Sequence, residues 1–388
     1  MNRDINIKLK ETRKLYDSKK YAESLNSYEE LFNDCSDQFK RNDLISYCWA
    51  IYQTRVKNFS DENELFEAVE FITTLIPQAD LNYKRTCPYT FSVFALLDYL
   101  FEEKNYFEMS CWLDKLNPKL LESRRGIFNG RFTRSRKEKY FDYATKAYLE
   151  CGEWESCIEA AKNALKSMKV FTNGSDAWYN WRIAKSLREL DKNAEAIAYL
   201  EEVAKVKNDW FVYREFAENY HIINDNDNAL KYISKAILAK GSINMKVNLF
   251  CLAFRLLKNT NDEMALRHAE LCYLLKCESN AQIPEELEEL MIDEESLDKN
   301  SLITQINEYW SGFQFQSQDL QYGTVTKFVE ERNFGFIVND DNESIFFHGS
   351  DFRGEDIHVG QLVSFYTEEN FDKSKNRKSL KAVNIRGE

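Results

Sequence analysis

The chain has 388 residues, with 52 Lys and Arg against 64 Asp and Glu, giving a formal net charge of −12. That balance argues against a protein that holds duplex nucleic acid or a membrane surface by charge alone, because such proteins carry a basic excess. Only 4 Pro and 12 Gly punctuate it, while Leu, Ala, Lys and Glu are plentiful, so a mostly helical protein of two or three domains is expected. The 9 Cys all precede Glu278 and none forms a Cys-x-x-Cys pair. Cys48, Cys157, Cys251 and Cys272 fall inside apolar helical patterns, where a free thiol behaves as a small hydrophobe. This predicts a reduced intracellular chain with no disulfide framework and no metal site. The N-terminus lacks a charged-then-apolar leader and no apolar run reaches membrane-spanning length, so a cytoplasmic protein with no membrane partner is expected.

From the N-terminus onward, small residues recur at spacings of 12 and then 7: Thr145, Cys157, Ala164; Ala217, Ala229, Ala236; Ala253, Ala265, Cys272. Ala184, Ala196 and Val203 follow the same offsets, and so do Thr12, Ser24 and Leu31. Small side chains at fixed points of paired helices let two backbones approach, while Tyr148, Ile158, Leu165, Phe216, Tyr220, Leu230 and Ile237 fill the layer between. The period runs from 33 to 39 residues, near that of known helical-hairpin repeats. Ala147 to Trp154 resembles the first-helix and turn pattern of tetratricopeptide repeats. Lys19 to Ser24 reads as a turn and second helix, Asn105 to Met109 as another second helix, and an irregular pair surrounds Ala68, Ile72 and Leu75. The resemblance implies roughly seven helical hairpins over residues 5–276, stacked as an α-solenoid whose concave face holds a protein or peptide partner. Trp112, Trp154, Trp178, Trp181 and Trp210 are candidates for that face, although packing between helices is the plainer reading. His221 and His268, each alone, read as satisfied structural histidines.

Two stretches break the pattern. Arg124 to Lys139 carries seven basic side chains with Gly126, Gly130, Phe128 and Phe132 among them. Ser135 followed by Glu138 is a capping-box signal that starts a helix running to about Glu150, so the preceding residues are expected to form a loop. Arg124, Arg125, Arg131 and Arg134 fit RNA phosphates, with the rings beside bases. They also fit an acidic partner peptide, or an acidic face of the solenoid itself. From Glu278 to Asp298 there are nine carboxylates and no Lys or Arg. Pro284 marks the start of a helix there, and the spacing of a calcium loop is missing, so a solvated linker helix is expected. Leu302, Ile303, Ile306, Tyr309 and Trp310 then form an apolar stripe at helical spacing, which predicts a helix that caps the solenoid or docks the next domain.

The last segment alternates differently. Side chains point to opposite faces along a strand, so Phe334 and Phe336 share one face, with Gly335 between them keeping the rings uncrowded. On the next strand Phe346 and His348 share a face while Ile345 and Phe347 point into a core. Exposed rings suit flat ligands such as stacked nucleobases. Gly323 to Ile337 resembles the first strand, turn and first ribonucleoprotein motif of cold-shock domains without a gap. Ile345 to His348 matches the second motif, Val359 to Phe365 the fourth strand and Lys381 to Ile385 the last. The resemblance implies a small OB-type barrel that binds single-stranded RNA or DNA. It carries the binding role onto Phe334, Phe336, Phe346 and His348, with Phe328 as a fifth position. Two departures stand out. Lys327 occupies the place of a stacking Trp and offers a salt-sensitive phosphate contact instead, and Gly349 stands where an aromatic or Gln commonly follows the His.

No P-loop, dinucleotide fingerprint, His-Glu-x-x-His or serine elbow occurs, so neither an enzyme nor a cofactor is expected. The reading is a multidomain protein: a tetratricopeptide-like α-solenoid over 1–276, an acidic linker and capping helix over 277–321, and a cold-shock-like OB barrel over 322–388. Its expected role is a non-enzymatic adaptor. The alternatives are a protein-only scaffold whose barrel has lost nucleic acid, or an accessory subunit of an RNA-processing or defence complex.

Overall fold

The small residues at offsets of 12 and 7 are where the helices touch. A computed structural model describes residues 2–293, 297–313, 320–353, 356–372 and 377–388. Two compact units divide the chain, Met1–Asn208 and Asp209–Glu388. The first holds five consecutive helical hairpins: α1 (Asn2–Asp17) with α2 (Tyr21–Cys35), α3 (Arg41–Ile51) with α4 (Glu62–Leu75), α5 (Pro88–Glu102) with α6 (Tyr106–Leu113), α7 (Arg136–Glu150) with α8 (Trp154–Ser167), and α9 (Ser175–Glu189) with α10 (Asn193–Ala204). Between α6 and α7 the chain forms two short strands, β1 (Gly126–Phe128) and β2 (Arg131–Thr133), rather than the expected loop. The second unit adds two hairpins, α11 (Trp210–Ile222) with α12 (Asn226–Leu238) and α13 (Val247–Leu257) with α14 (Asp262–Glu278). Seven hairpins therefore stand in the described residues, the number that the repeat reading gives.

Every residue of the small-residue series is buried. Two polar members also close the gap chemically: the Ser24 hydroxyl donates to the Thr12 carbonyl at 3.1 Å, and the Cys157 thiol to the Thr145 carbonyl at 3.3 Å. A larger side chain at these points would hold the helices apart and leave the neighbouring core atoms without partners. The turns within hairpins also repeat. Lys19, Lys104, Gly152, Asp191 and Asn224 all take the left-handed conformation. The amide after each reaches back five residues, as in Lys20 to the Leu15 carbonyl at 3.0 Å and Glu153 to the Tyr148 carbonyl at 2.9 Å. This is the Schellman closure of a helix end. The irregular pair around Ala68 has a visible cause: α3 runs on into a π-helical turn over Tyr52–Val56.

Ser135 caps α7 as expected, accepting the Glu138 amide at 3.1 Å. Glu138 does not return the bond. Its buried carboxylate accepts instead from the Thr172 amide and hydroxyl, both at 2.8 Å, and from the Ser175 hydroxyl at 2.7 Å. One side chain thereby ties the start of α7 to the start of α9.

The acidic stretch differs from the expected solvated linker helix. Its helix, α15 (Glu285–Glu288), is a single turn behind Pro284. Leu287 is fully buried in the helical core, and Glu286 pairs with Arg255 at 2.6 Å. Ile283 and Ile292 also pack against that core, so the described part of this acidic run lies back on the helices. The next helix, α16 (Lys299–Phe313), lies on α12 and α14 with Leu302, Ile306 and Trp310 buried, so the apolar stripe closes the helical stack of this unit. Trp310 Nε1 donates to His268 Nε2 at 2.8 Å, while His268 Nδ1 lies 2.6 Å from the Met264 carbonyl. An imidazole held this way is neutral, with its proton on Nδ1, and burial pushes its pKa down to about 4. His221 differs from expectation: its buried Nδ1 meets no partner among the described residues.

The remaining strands are β3 (Gln321–Val329), β4 (Phe334–Asn339), β5 (Ser344–His348), β6 (Phe352–Arg353), β7 (Leu362–Asp372) and β8 (Arg377–Gly387). They pair in the order β5-β4-β3-β7-β8-β6, and a parallel β5–β8 pairing joins the ends so that five strands close into a barrel. Closure leaves no free edge among those five. Val325, Ile337, Ile345, Phe347, Val363, Phe365, Ala382 and Ile385 fill the interior. No helix among the described residues is long and apolar enough to cross a membrane.

Candidate nucleic-acid interface

Strict alternation along β4 and β5 sorts the side chains. Ile337, Ile345 and Phe347 are buried, while Phe334, Phe336 and Phe346 are half-exposed and His348 is exposed. The register then joins the outward set: Phe336 lies opposite Phe346, Phe334 opposite His348, and Lys327 of β3 opposite Phe336. Directly opposed residues share a face, so rings and cation form one surface three strands wide. Phe334 and Phe346 stack at 5.8 Å with an interplanar angle of 29°. Phe336 meets them edge-on at 6.1 and 5.9 Å. Asn333 supplies the left-handed residue that turns the chain into β4, and its carbonyl accepts the Gly349 amide at 2.8 Å, which ties the ends of the two ring-bearing strands together.

Two sequence expectations change here. Gly335 faces the interior, opposite the rings that it was expected to separate. A Cβ there would lie 2.4 Å from the Lys327 carbonyl oxygen and from the Phe347 ring. The glycine is required by what lies inside the barrel. Phe328 also turns inward, because a bulge between Val325 and Lys327 shifts the register so that Phe328 opposes Gly335. Its half-exposed ring lies parallel to the buried Phe347 at 6.0 Å, on the opposite side of the sheet from the platform. The departure at Gly349 has a local reason too: the Asn333 carboxamide fills the space that a Cβ would need, with its oxygen at 1.9 Å.

His348 Nδ1 lies 2.8 Å from the Ser350 hydroxyl, which fixes the ring at the platform edge. Lys381 was missed by the sequence reading. It opposes Phe346 on the parallel β8 strand and therefore shares the ring face, where it pairs with Asp351 at 2.8 Å. The signal was available in the last-strand match, since Ala382 faces inward and its neighbour must face out. Residues 321–388 carry nine Lys and Arg against twelve Asp and Glu. This surface offers stacking area far more than charge.

Residues 321–387 match the family model described as the 'cold-shock' DNA-binding domain. This segment is a cold-shock domain. Residues 177–310 match the model of a domain of unknown function, DUF7017, which spans α9 to the Trp310 end of α16 and stops before the cold-shock domain begins. The helical part is tetratricopeptide-like, as its hairpins, offsets and turns show. Loosely similar solved structures include the apo form of RapI, 12% identical with a TM-score of 0.43, covering 79% of this chain and 86% of that one. A Rap protein complexed with competence and sporulation factor is 13% identical with a TM-score of 0.39, covering 81% and 88%. The TPR2AB domain of yeast Sti1, in a complex with pHSP90, is 14% identical with a TM-score of 0.28, covering 66% and 99%. Likenesses this loose carry no argument about function. No curated protein matches the chain.

Away from the cold-shock domain, the basic stretch of the first unit is a hairpin with Asn129 and Gly130 at its tip, both left-handed. That is the type I′ turn, and Asn-Gly between β-formers is the signal that could have revealed it. Arg124, Arg125 and Arg134 line one cleft, whereas Arg131 points elsewhere, sharing a hairpin face with Phe128. Arg134 is already paired with Asp142 at 2.6 Å.

Proposed function

We propose that this protein is a non-enzymatic adaptor that binds single-stranded RNA or DNA on the cold-shock domain and a protein or peptide on its helical repeats. The observation that carries the first half is the trio Phe334, Phe336 and Phe346, turned to water on strands whose alternate side chains are buried. Ring faces left open on a rigid sheet suit unpaired bases, each stack contributing about 1–3 kcal/mol. Lys327 and His348 flank the trio and suit phosphate and base edges. Paired bases hide the faces that such a platform would stack, so an unpaired strand is the better ligand. The second half rests on the tetratricopeptide-like architecture alone, and the partner's identity is left to experiment.

A protein-only scaffold has one observation in its favour: a cation, Lys327, where a stacking ring is usual, on a domain with more acid than base. Phe334→Ala with Phe346→Ala in the full chain separates the two readings. The adaptor reading expects affinity for an unstructured oligonucleotide to fall between about fivefold and a hundredfold per ring, with the far-ultraviolet spectrum and melting of the domain unchanged. Equal affinity in a folded double variant would remove the platform from the account. Wild-type protein that binds no oligonucleotide at any salt would favour the scaffold.

A further inference from the structure

The first unit contains a cleft of about 1080 Å³ between the loop joining α4 to α5 and the β1–β2 hairpin. Its charge is opposite to that of the chain. Lys84 and Arg85 stand on one wall, and Arg124 and Arg125 on the other. None of these four is paired with a carboxylate among the described residues. Arg136 and Lys139 also line the cleft, and its two carboxylates, Glu122 and Asp98, are taken up by them in pairs of 2.6 Å. Four cations are thus left uncompensated in a protein with a net charge of −12.

Flat rings accompany the charge. Tyr83 lines the cleft and is 89% exposed, the Arg125 guanidinium lies 4.3 Å over the 57% exposed Phe132 ring, and Arg136 lies 4.2 Å over Phe91. The Arg125 guanidinium, seated over a ring and bound by no carboxylate among the described residues, keeps its N–H groups available for phosphate, whereas that of Arg136 is held by Glu122. An acidic peptide would use the cations but leave Tyr83 idle. A single strand of nucleic acid uses both.

We propose that this cleft is a second binding site for single-stranded nucleic acid, with phosphates held by Lys84, Arg85, Arg124 and Arg125 and a base stacked on Tyr83. It is independent of the cold-shock platform. The test uses full-length protein carrying Phe334→Ala and Phe346→Ala, titrated with fluorescein-labelled oligouridine across a salt series. This protein is expected to retain binding that weakens steeply with salt. Adding Arg124→Gln and Arg125→Gln should flatten the log–log salt slope by about 1.4, at about 0.7 per lost phosphate contact on a single strand. Lys84→Gln with Arg85→Gln, on the opposite wall, should flatten it equally, and Tyr83→Ala should cost between about fivefold and a hundredfold in affinity. The five cleft positions are exposed or half-exposed, and the helical spectrum checks that each variant is folded. An unchanged slope in both arginine and lysine-wall variants overturns the site. So does a platform variant that binds no oligouridine, or one that binds polyglutamate through Arg124 and Arg125 but not oligouridine.

Discussion

The cold-shock platform and the hairpin cleft of the first unit assemble the same kinds of side chain in opposite proportions. On the platform three rings touch one another and a few polar groups stand at the rim. In the cleft the cations are central, and the rings serve partly as seats for guanidinium groups. Contacts of the first kind lose little in salt, whereas contacts of the second release counterions and fade quickly as salt rises. A platform of rings also demands a rigid sheet beneath it, because each ring is placed by the register of its strand. A cationic cleft tolerates movement, since charge acts at a distance and long side chains adjust. The two regions therefore fail under different perturbations.

The largest effect separates the two sides of the platform sheet. Phe347 is wholly buried beneath Gly335, and Phe347→Ala should cost about 3–5 kcal/mol of barrel stability. Phe346→Ala, one residue away and outward, should leave melting nearly unchanged. Comparable losses in both variants, read by chemical denaturation, would mean that the platform rings are structural and the comparison with the cleft is empty.

Acid should set the units apart next. All four histidines lie beyond residue 209, and buried His268 has its pKa lowered from 6.5 to about 4. Below pH 6.5 the unfolded chain takes a proton that the folded one refuses, so stability is full above pH 6.5 and falls as pH drops toward 4. The shift corresponds to a loss on the order of 3 kcal/mol. His268→Gln keeps an acceptor for Trp310 and should flatten this part of the pH dependence. Parallel wild-type and variant curves from urea melts at pH 7 and pH 4.5 would refute the assignment.

A smaller loss is expected from Glu138→Gln. The carboxylate holds the turn of α7 that carries Arg136 and Lys139 into the cleft, and an amide replaces the buried charge and one of its two acceptor oxygens, which between them accept three bonds, with an NH2 donor. About 2 kcal/mol of stability should go, together with part of the salt-steep binding, while oligonucleotide stacking on the cold-shock domain stays intact. Loss of both binding modes would contradict their separation.

Lys327→Trp should give the smallest change and the most pointed one. A fourth ring opposite Phe336 offers a net gain of about 1 kcal/mol after loss of an exposed cation, with a flatter salt slope and quenching of the new indole on binding. Weaker binding with a flatter slope would show that Lys327 is itself an anchor, and that the platform leans on charge more than the comparison allows.

How far the sequence could be read followed how local the physics was. Alternation alone sorted Phe334, Phe336, Phe346 and His348 from Ile345 and Phe347, because a strand has only two faces. The resemblance placed Phe328 with the platform residues, but a one-residue bulge, which leaves no mark in composition, sets it opposite Gly335 on the other face. The helical offsets were legible because close approach demands small residues wherever it occurs. The turn at Lys19 was legible in place but not in conformation, because Lys19, Lys104 and Asp191 take a left-handed backbone that their residue types do not announce. The bonds from Glu138 to Thr172 and Ser175 lie 34 and 37 residues away, beyond any local pattern. The burial of Leu287 was hidden by the nine carboxylates around it.

Gly335 bears on how such domains are recognised at all. The Phe334-Gly335-Phe336 stretch looks like one statement about ligand capture, yet its middle letter answers to the Phe347 ring below the sheet and its outer letters to whatever lies above. The signature therefore bundles two separable selections. A lineage that abandoned nucleic acid could exchange both phenylalanines and still be obliged to keep the glycine for as long as Phe347 stayed beneath it. Scoring the outward and inward letters of the motif separately would distinguish a retained fold from a retained activity.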